Sequence, residues 1–159
     1  KVQQQWLDFY KRNRFITTVP LEKRARWVEL REKLIKAIYD AGGKLMAGSD
    51  TPEFLWLYGF GIQHELKALK DSGISNYAVL SAGTRNAHEF FGTLDKVGTV
   101  QKGKRADLIL LNANPLDDIS ATKNRSGVML KGKWYTQTEL DRWLDDIAPK
   151  IASSYIEHK

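Results

Sequence analysis

KLMAGSDTPEF, residues 44–54, is the stretch on which the reading of the fold turns. Leu45, Met46 and Ala47 are apolar without alternation, which suits a parallel strand covered on both faces. They run into Gly48, Ser49 and Asp50, and Thr51 and Pro52 then stop the run. An acid at the mouth of an apolar strand can cap a helix, bind a metal or move a proton. Ser-Asp-Thr-Pro is also good turn chemistry, so a plain turn role stands beside those three.

The flanks set this strand in context. Upstream, Pro20 suits a first helical turn. Trp27, Leu30, Leu34 and Ile38 then recur at helical spacing, with Ile35 widening the stripe. The spacing predicts a helix over 20–41 with that face inward, ended by Gly42 and Gly43. A helix, a two-glycine turn and a buried strand over Lys44–Ala47 make half of a βα repeat. Residues 1–19 read as irregular, with a short helix at Gln3–Lys11. Downstream comes an aromatic loop, TPEFLWLYGFG. Ile62, Leu66 and Leu69 then predict a helix over 62–72, closed by Gly73. Ser75 reads as the N-cap of a further helix, 76–91, with Val79, Gly83, Ala87 and Phe90 or Phe91 inward.

Beyond Gly92 the texture becomes β. Val97–Val100 and Ala106–Leu111 are short β runs split by a KGKR turn. Val128–Leu130, a turn at Lys131–Lys133, and Trp134 with Tyr135 read as a hairpin. Thr136 and Glu139 form a capping box that opens a last helix, its stripe Leu140, Trp143, Leu144 and Ile147, closed by Pro149. The β segments are too few to close a sandwich or barrel of their own.

Composition narrows the classes. The chain has 159 residues, 42% hydrophobic and 28% charged, a globular balance with room for one ordinary core. No apolar run approaches the ~20 residues of a membrane span. There is no Cys, which excludes disulfides, thiolate metal sites and a Cys nucleophile. The charge is +6, from 25 Lys and Arg against 19 Asp and Glu. The basic residues are spread among acids, which reads as a solvated surface with no nucleic-acid groove; only residues 1–15 hint otherwise. The chain opens without Met or a signal peptide, so it reads as part of a longer polypeptide, and its compartment is left open.

MAGSDTP, GIQHELKALKDSGIS, GTRNAHEFFGTLDKVGTVQKGKRADLILLNANPLDDI and GVMLKGKWY carry a resemblance. Together they resemble the C-terminal part of the metal-dependent amidohydrolase superfamily, in its imidazolonepropionase-like and Xaa-Pro dipeptidase-like branch. The run from Thr84 to Pro115 is the most specific. The resemblance implies an α/β fold: a C-terminal fragment of a (β/α)8 barrel, the returning half of a small β-sandwich, and a terminal helix. Residues 1–96 would be barrel, 97–135 sandwich, and 136–159 the helix and tail. Two departures, GISNYAVL where a Thr-Pro is usual and Gly83 where Ala is usual, look like packing variants. A larger one is an absence: the family's His-x-His pair and its later His and carboxylate ligands are not here. His64, His88 and His158 all follow the predicted eighth strand.

The same resemblance makes Asp50 both a metal ligand and the proton carrier of a hydrolase that cleaves an amide or other C–N bond with metal-activated water. The cofactor it implies is a divalent metal, Zn, one or two ions in the intact enzyme. The substrate would be a dipeptide or a cyclic amide, the chain by itself would be inactive, and its closest partner would be the missing N-terminal part of the same polypeptide. Homo-oligomerisation is left open. His64 and Tyr58 are candidates for substrate binding, with Phe54 and Trp56 beside Tyr58; for His64, structural support of the loop is an equal alternative. His88 is expected half-exposed without a chemical role, and Thr84 and Asn86 are expected to support a joint. Gly98-Thr99 and Gly103-Lys104 lack P-loop spacing and read as turns. The alternative function is a non-catalytic fragment or interaction module with a basic, aromatic surface.

Overall fold

Two helices open the chain in the computed structural model, which describes residues 2–13, 18–51, 59–147 and 149. These are α1 (Val2–Arg12) and α2 (Leu21–Asp40). Pro20 stands just before the first residue of α2, and its carbonyl accepts the first-turn bond from the Arg24 N–H at 3.1 Å. Gly42, at φ +84°, takes the left-handed conformation that ends the helix. Glu29 with Lys33 and Lys36 with Asp40 pair along its exposed side at 2.6 and 2.5 Å. Such i,i+4 pairs contribute only a few tenths of a kcal/mol, about 0.3–0.5 each.

The predicted inward stripe of α2 is not inward. Trp27, Leu30 and Leu34 are all more than half exposed, and no residue of the helix is buried. Helix α2 instead meets the next helix, α3 (Gly61–Asp71), along another side. There the Lys36 stem lies over Gly73, and Ile35 and Tyr39 are half-buried. The stripe is left largely exposed.

The chain forms two compact units, Lys1–Ala87 and His88–Lys159. The core of the first lies where α3 packs on α4 (Asn76–Ala82). Leu66, Leu69, Ile74, Val79 and Ala82 are buried there, with Val79 at 0% exposure. Full burial of one such aliphatic side chain stabilises by about 1.5–3 kcal/mol. Ser75 is the N-cap expected from the sequence, its hydroxyl accepting from the Ala78 N–H.

The predicted 76–91 helix is two helices, α4 and α5 (Arg85–Phe90), broken at Gly83 and Thr84. Gly has low helix propensity, and the Thr84 hydroxyl donates back to the Leu80 carbonyl at 2.7 Å, a bond that bends helices. Phe90 and Phe91 were expected to supply one inward ring. Both are about 70% exposed and pack edge-on against each other at 5.2 Å.

Two predicted strands are also absent. Lys44–Ala47 is extended but belongs to no sheet, because no neighbouring strand is present among the described residues to pair with it. Val97–Val100 is a tight loop. Lys104 closes it, its ammonium donating to the Leu94 carbonyl and, at 2.6 Å, to the Thr99 hydroxyl. Val97 is buried within it and Val100 is exposed. Gly98-Thr99 and Gly103-Lys104 are thus parts of turns, as expected.

The second unit is built on a three-stranded antiparallel sheet, β1 (Leu108–Leu111), β2 (Arg125–Leu130) and β3 (Lys133–Thr136), in that order. Leu108 pairs with Met129 and Ile109 with Val128, so the expected partnership of these two runs holds. The hairpin turn is two residues, Lys131 and Gly132, both at positive φ (+50° and +82°). That is the type I′ geometry whose twist matches paired strands. Asp107 braces it: its carboxylate accepts the Lys131 N–H at 2.7 Å and the Arg105 guanidinium at 2.5 Å. The Lys131 N–H first, and Arg105 after it, hold the Asp107 carboxyl below the usual carboxylate range.

Helix α6 (Gln137–Asp145) follows β3 directly and packs on β2 and β3. Its capping box is present as read: Thr136 Oγ1 accepts the Glu139 N–H, and Glu139 Oε2 accepts the Thr136 N–H at 2.8 Å. That bond, with the Thr136 hydroxyl, lowers the Glu139 pKa. A carboxylate depressed in the folded state contributes stability above its unfolded pKa and loses it as pH falls through the folded value. Acid titration should therefore fray α6 below the ordinary glutamate range. Amide exchange at Thr136 and Glu139 measures this, and Glu139→Gln should flatten the pH dependence.

Candidate active-site segment

Residues 43–50 alternate between half-buried and exposed, the signature of an extended backbone. Two bonds from the α4–α5 region hold them in place of a strand ladder. The Ala47 N–H donates to the Ala82 carbonyl at 3.0 Å, and the Asn86 side-chain amide donates to the Leu45 carbonyl at 2.8 Å. Asn86 was expected to support a joint; it supports the segment that delivers Asp50. The sequence signal for it was the Thr84-Arg85-Asn86-Ala87 run after Gly83.

At the end of this segment Asp50 is exposed and lies at φ +48°. Asp and Asn tolerate that left-handed region far better than other side chains bearing a Cβ. Ser49 and Thr51, half-buried on either side, join their hydroxyls at 3.0 Å. Both press against Gly61, the first residue of α3. Asp50 is thus presented at the outer point of a turn whose flanking side chains are held by each other and by a helix.

The other candidates fall as follows. His64 is exposed on α3, three residues beyond Gly61 and so on the same helix face. Tyr58, Phe54 and Trp56 lie outside the described residues, as does His158. His88 is half-buried, its Nδ1 3.0 Å from the Thr93 hydroxyl, with Gly98 close against the ring; this is a packed histidine. Thr84 spends its hydroxyl on Leu80. A surface hollow along α2, lined by Glu22, Arg26, Glu29 and Lys33 among others, belongs to that helix and gathers no converging chemistry.

Among the described residues no group of three or more His, Cys, Asp or Glu side chains converges as a metal site would require. Asp50 supplies one hard oxygen donor on an open face, whereas a zinc site takes three or four protein ligands. The residues described here do not by themselves fit a divalent ion.

Residues 19–135 match the Amidohydrolase family, most of the chain and all of the segment around Asp50. The chain belongs to the amidohydrolase family. Among solved amidohydrolase-like structures it is similar to a Xaa-Pro dipeptidase with methionine bound in the active site, at 26% identity and TM-score 0.60. That match covers 66% of this chain and 25% of the other. It is also similar to a protein from Bifidobacterium longum assigned as a prolidase, at 28% identity and TM-score 0.58, covering 70% and 29%. Molinate hydrolase shares the fold over 84% of this chain and 30% of its own, with 22% identity and TM-score 0.61. The chain therefore spans about a quarter of the length of the Xaa-Pro dipeptidase it matches. No curated protein sequence matches it. Among the described residues no helix is long and apolar enough to cross a membrane.

Proposed function

We propose that this chain is the C-terminal part of a metal-dependent hydrolase that cleaves an amide or other C–N bond in a dipeptide or cyclic amide. The observation that carries the reading is the placement of Asp50: an exposed acid, held by its neighbours, at the end of an extended segment in an amidohydrolase-family chain. In the intact protein Asp50, with ligands from outside these residues, would hold a divalent cation such as Zn²⁺, which would supply a water of pKa about 7. The chain's own part is proton transfer. Asp50 takes a proton as water oxygen adds to the carbonyl carbon, and delivers it to the nitrogen as the C–N bond breaks. The amine leaves neutral, the carbonyl carbon keeps the hydroxyl as a carboxylic acid, and the Asp50 carboxylate is restored.

On this reading, residues 44–50 are the last strand of a (β/α)8 barrel and 1–96 its C-terminal part. Residues 97–135 join a β-sandwich, and 136–159 form the closing helix and tail. The exposed stripe of α2 would then pack against barrel elements that these residues do not include. His64 and Tyr58 would face the substrate. The same stripe gives the second reading its one support: an interaction module would use such a face.

The test is an assay of the full-length protein against Xaa-Pro dipeptides and cyclic amides, before and after chelation and Zn²⁺ addition. Turnover should vanish on chelation and return with metal, and residues 1–159 alone should be inert. Full turnover in chelator, or turnover by residues 1–159 alone, would overturn the reading.

A further inference from the structure

We infer that Gly61, with the Ser49–Thr51 hydroxyl pair, is the positioning element that sets the direction of the Asp50 carboxylate. The inference rests on the reading of Asp50 as proton carrier.

Its basis is a close approach between segments distant in sequence. A Cβ built on Gly61 would lie 2.9 Å from Thr51 Cγ2 and 3.0 Å from Ser49 Cβ. Gly61 itself is buried, so the two side chains that flank Asp50 rest on bare helix backbone. The hydroxyls of those side chains meet at 3.0 Å across the turn. With both neighbours fixed, the left-handed backbone at Asp50 between them is fixed too. Asp50 owes little of this to itself: it is exposed, and its φ of +48° is a conformation that needs surrounding structure to hold it. Gly61 carries no positive φ and caps nothing, so close approach is the reason for glycine here.

An added methyl at Gly61 must move the turn by several tenths of an ångström. Misplacing a catalytic group by about 1 Å can cost on the order of 100-fold in rate. Gly61→Ala in the full-length enzyme should therefore lower kcat by about 10- to 100-fold with KM little changed. A second variant makes the steric cause specific. Thr51→Ser deletes the Cγ2 that a Gly61 methyl would strike and keeps the hydroxyl that Ser49 bonds. Alone it should be close to wild type. Ser49 Cβ, 3.0 Å from the same point, still has to give way, so Gly61→Ala/Thr51→Ser should recover part of the lost kcat.

The experiment measures kcat and KM for the three variants beside Asp50→Asn, with circular dichroism to verify folding. Wild-type kcat in Gly61→Ala, or a double variant no faster than Gly61→Ala, overturns the inference while an inactive Asp50→Asn leaves the Asp50 reading standing. An active Asp50→Asn overturns that reading and with it this one. Recovery in the double variant supports the inference even if Gly61→Ala alone is too unstable to assay.

Discussion

Asp50→Asn in the full-length protein is expected to lower kcat by about 10²- to 10⁴-fold, the usual contribution of a positioned acid or base. The substitution isolates charge from conformation. Asn fits the left-handed region at least as well as Asp, so the +48° backbone at residue 50 should persist. The side chain is exposed, so its volume and packing matter little. Ser49 and Thr51 keep their mutual bond and their seat on Gly61. The carboxylate's ability to carry a proton is lost, and with it a charged oxygen donor for the metal. Circular dichroism and thermal midpoint should match wild type, and the loss should fall on kcat. Near-normal turnover in a folded, metal-loaded variant would remove Asp50 from the chemistry.

Gly127→Ala should cost about 1–3 kcal/mol of local stability, the usual range for overpacking, with the upper end expected here. Gly127 is buried in β2, between Leu110 on one side and Thr136 on the other. The Trp134 indole lies diagonally across it. A Cβ would sit 2.6 Å from the Tyr135 carbonyl oxygen and 2.8 Å from Trp134 Cη2. The indole can swing away, but the carbonyl belongs to the neighbouring strand, so β3 must shift against β2. Hydrogen exchange at the amides of Leu108–Leu111 and Arg125–Leu130 should report the loss. Unchanged protection would mean that the sheet has slack the contact distances do not suggest.

Both positions show where sequence is informative. Helix α2, helix α3, the Ser75 cap and the Thr136–Glu139 capping box were all legible, and the hairpin turn was read one residue too long, since Lys133 already belongs to β3. Each is written in residues a few positions apart and is satisfied by its own local backbone. Lys44–Ala47 was not legible as it stands, because a strand exists only through its partner, and apolar residues do not say whether one is there. The α2 stripe misled for the same reason: periodicity names a face but not what covers it. The break at Gly83 and Thr84 had a visible signal in glycine followed by a hydroxyl residue, overridden by apolar spacing on both sides. Asp50 stood out because an acid is unexpected after an apolar run. Its supports, Asn86 on Leu45 and Gly61 under Ser49 and Thr51, did not, since nothing in 44–54 names a residue 41 positions away.

The bond from Asn86 to Leu45 also bears on the order in which the chain takes shape. The sheet of the second unit closes short loops: Asp107 reaches Lys131 across 24 residues, and the hairpin reverses in two. Contacts of that range form quickly. The Ser49–Thr51 turn closes locally on Gly61, but the extended run before it has no such local route. Its anchors arrive only after α4 and α5 exist, across 41 residues for Leu45, and each doubling of a closed loop adds about 0.6 kcal/mol of entropy. The run that leads to the acid is therefore fixed somewhat later than the local turns of the chain. Asp50 is exposed and lies outside helix and sheet, and such segments open at a lower free-energy cost than a core element. Loss of a productive acid would precede loss of the fold, and a protein that still looks native could already have stopped working.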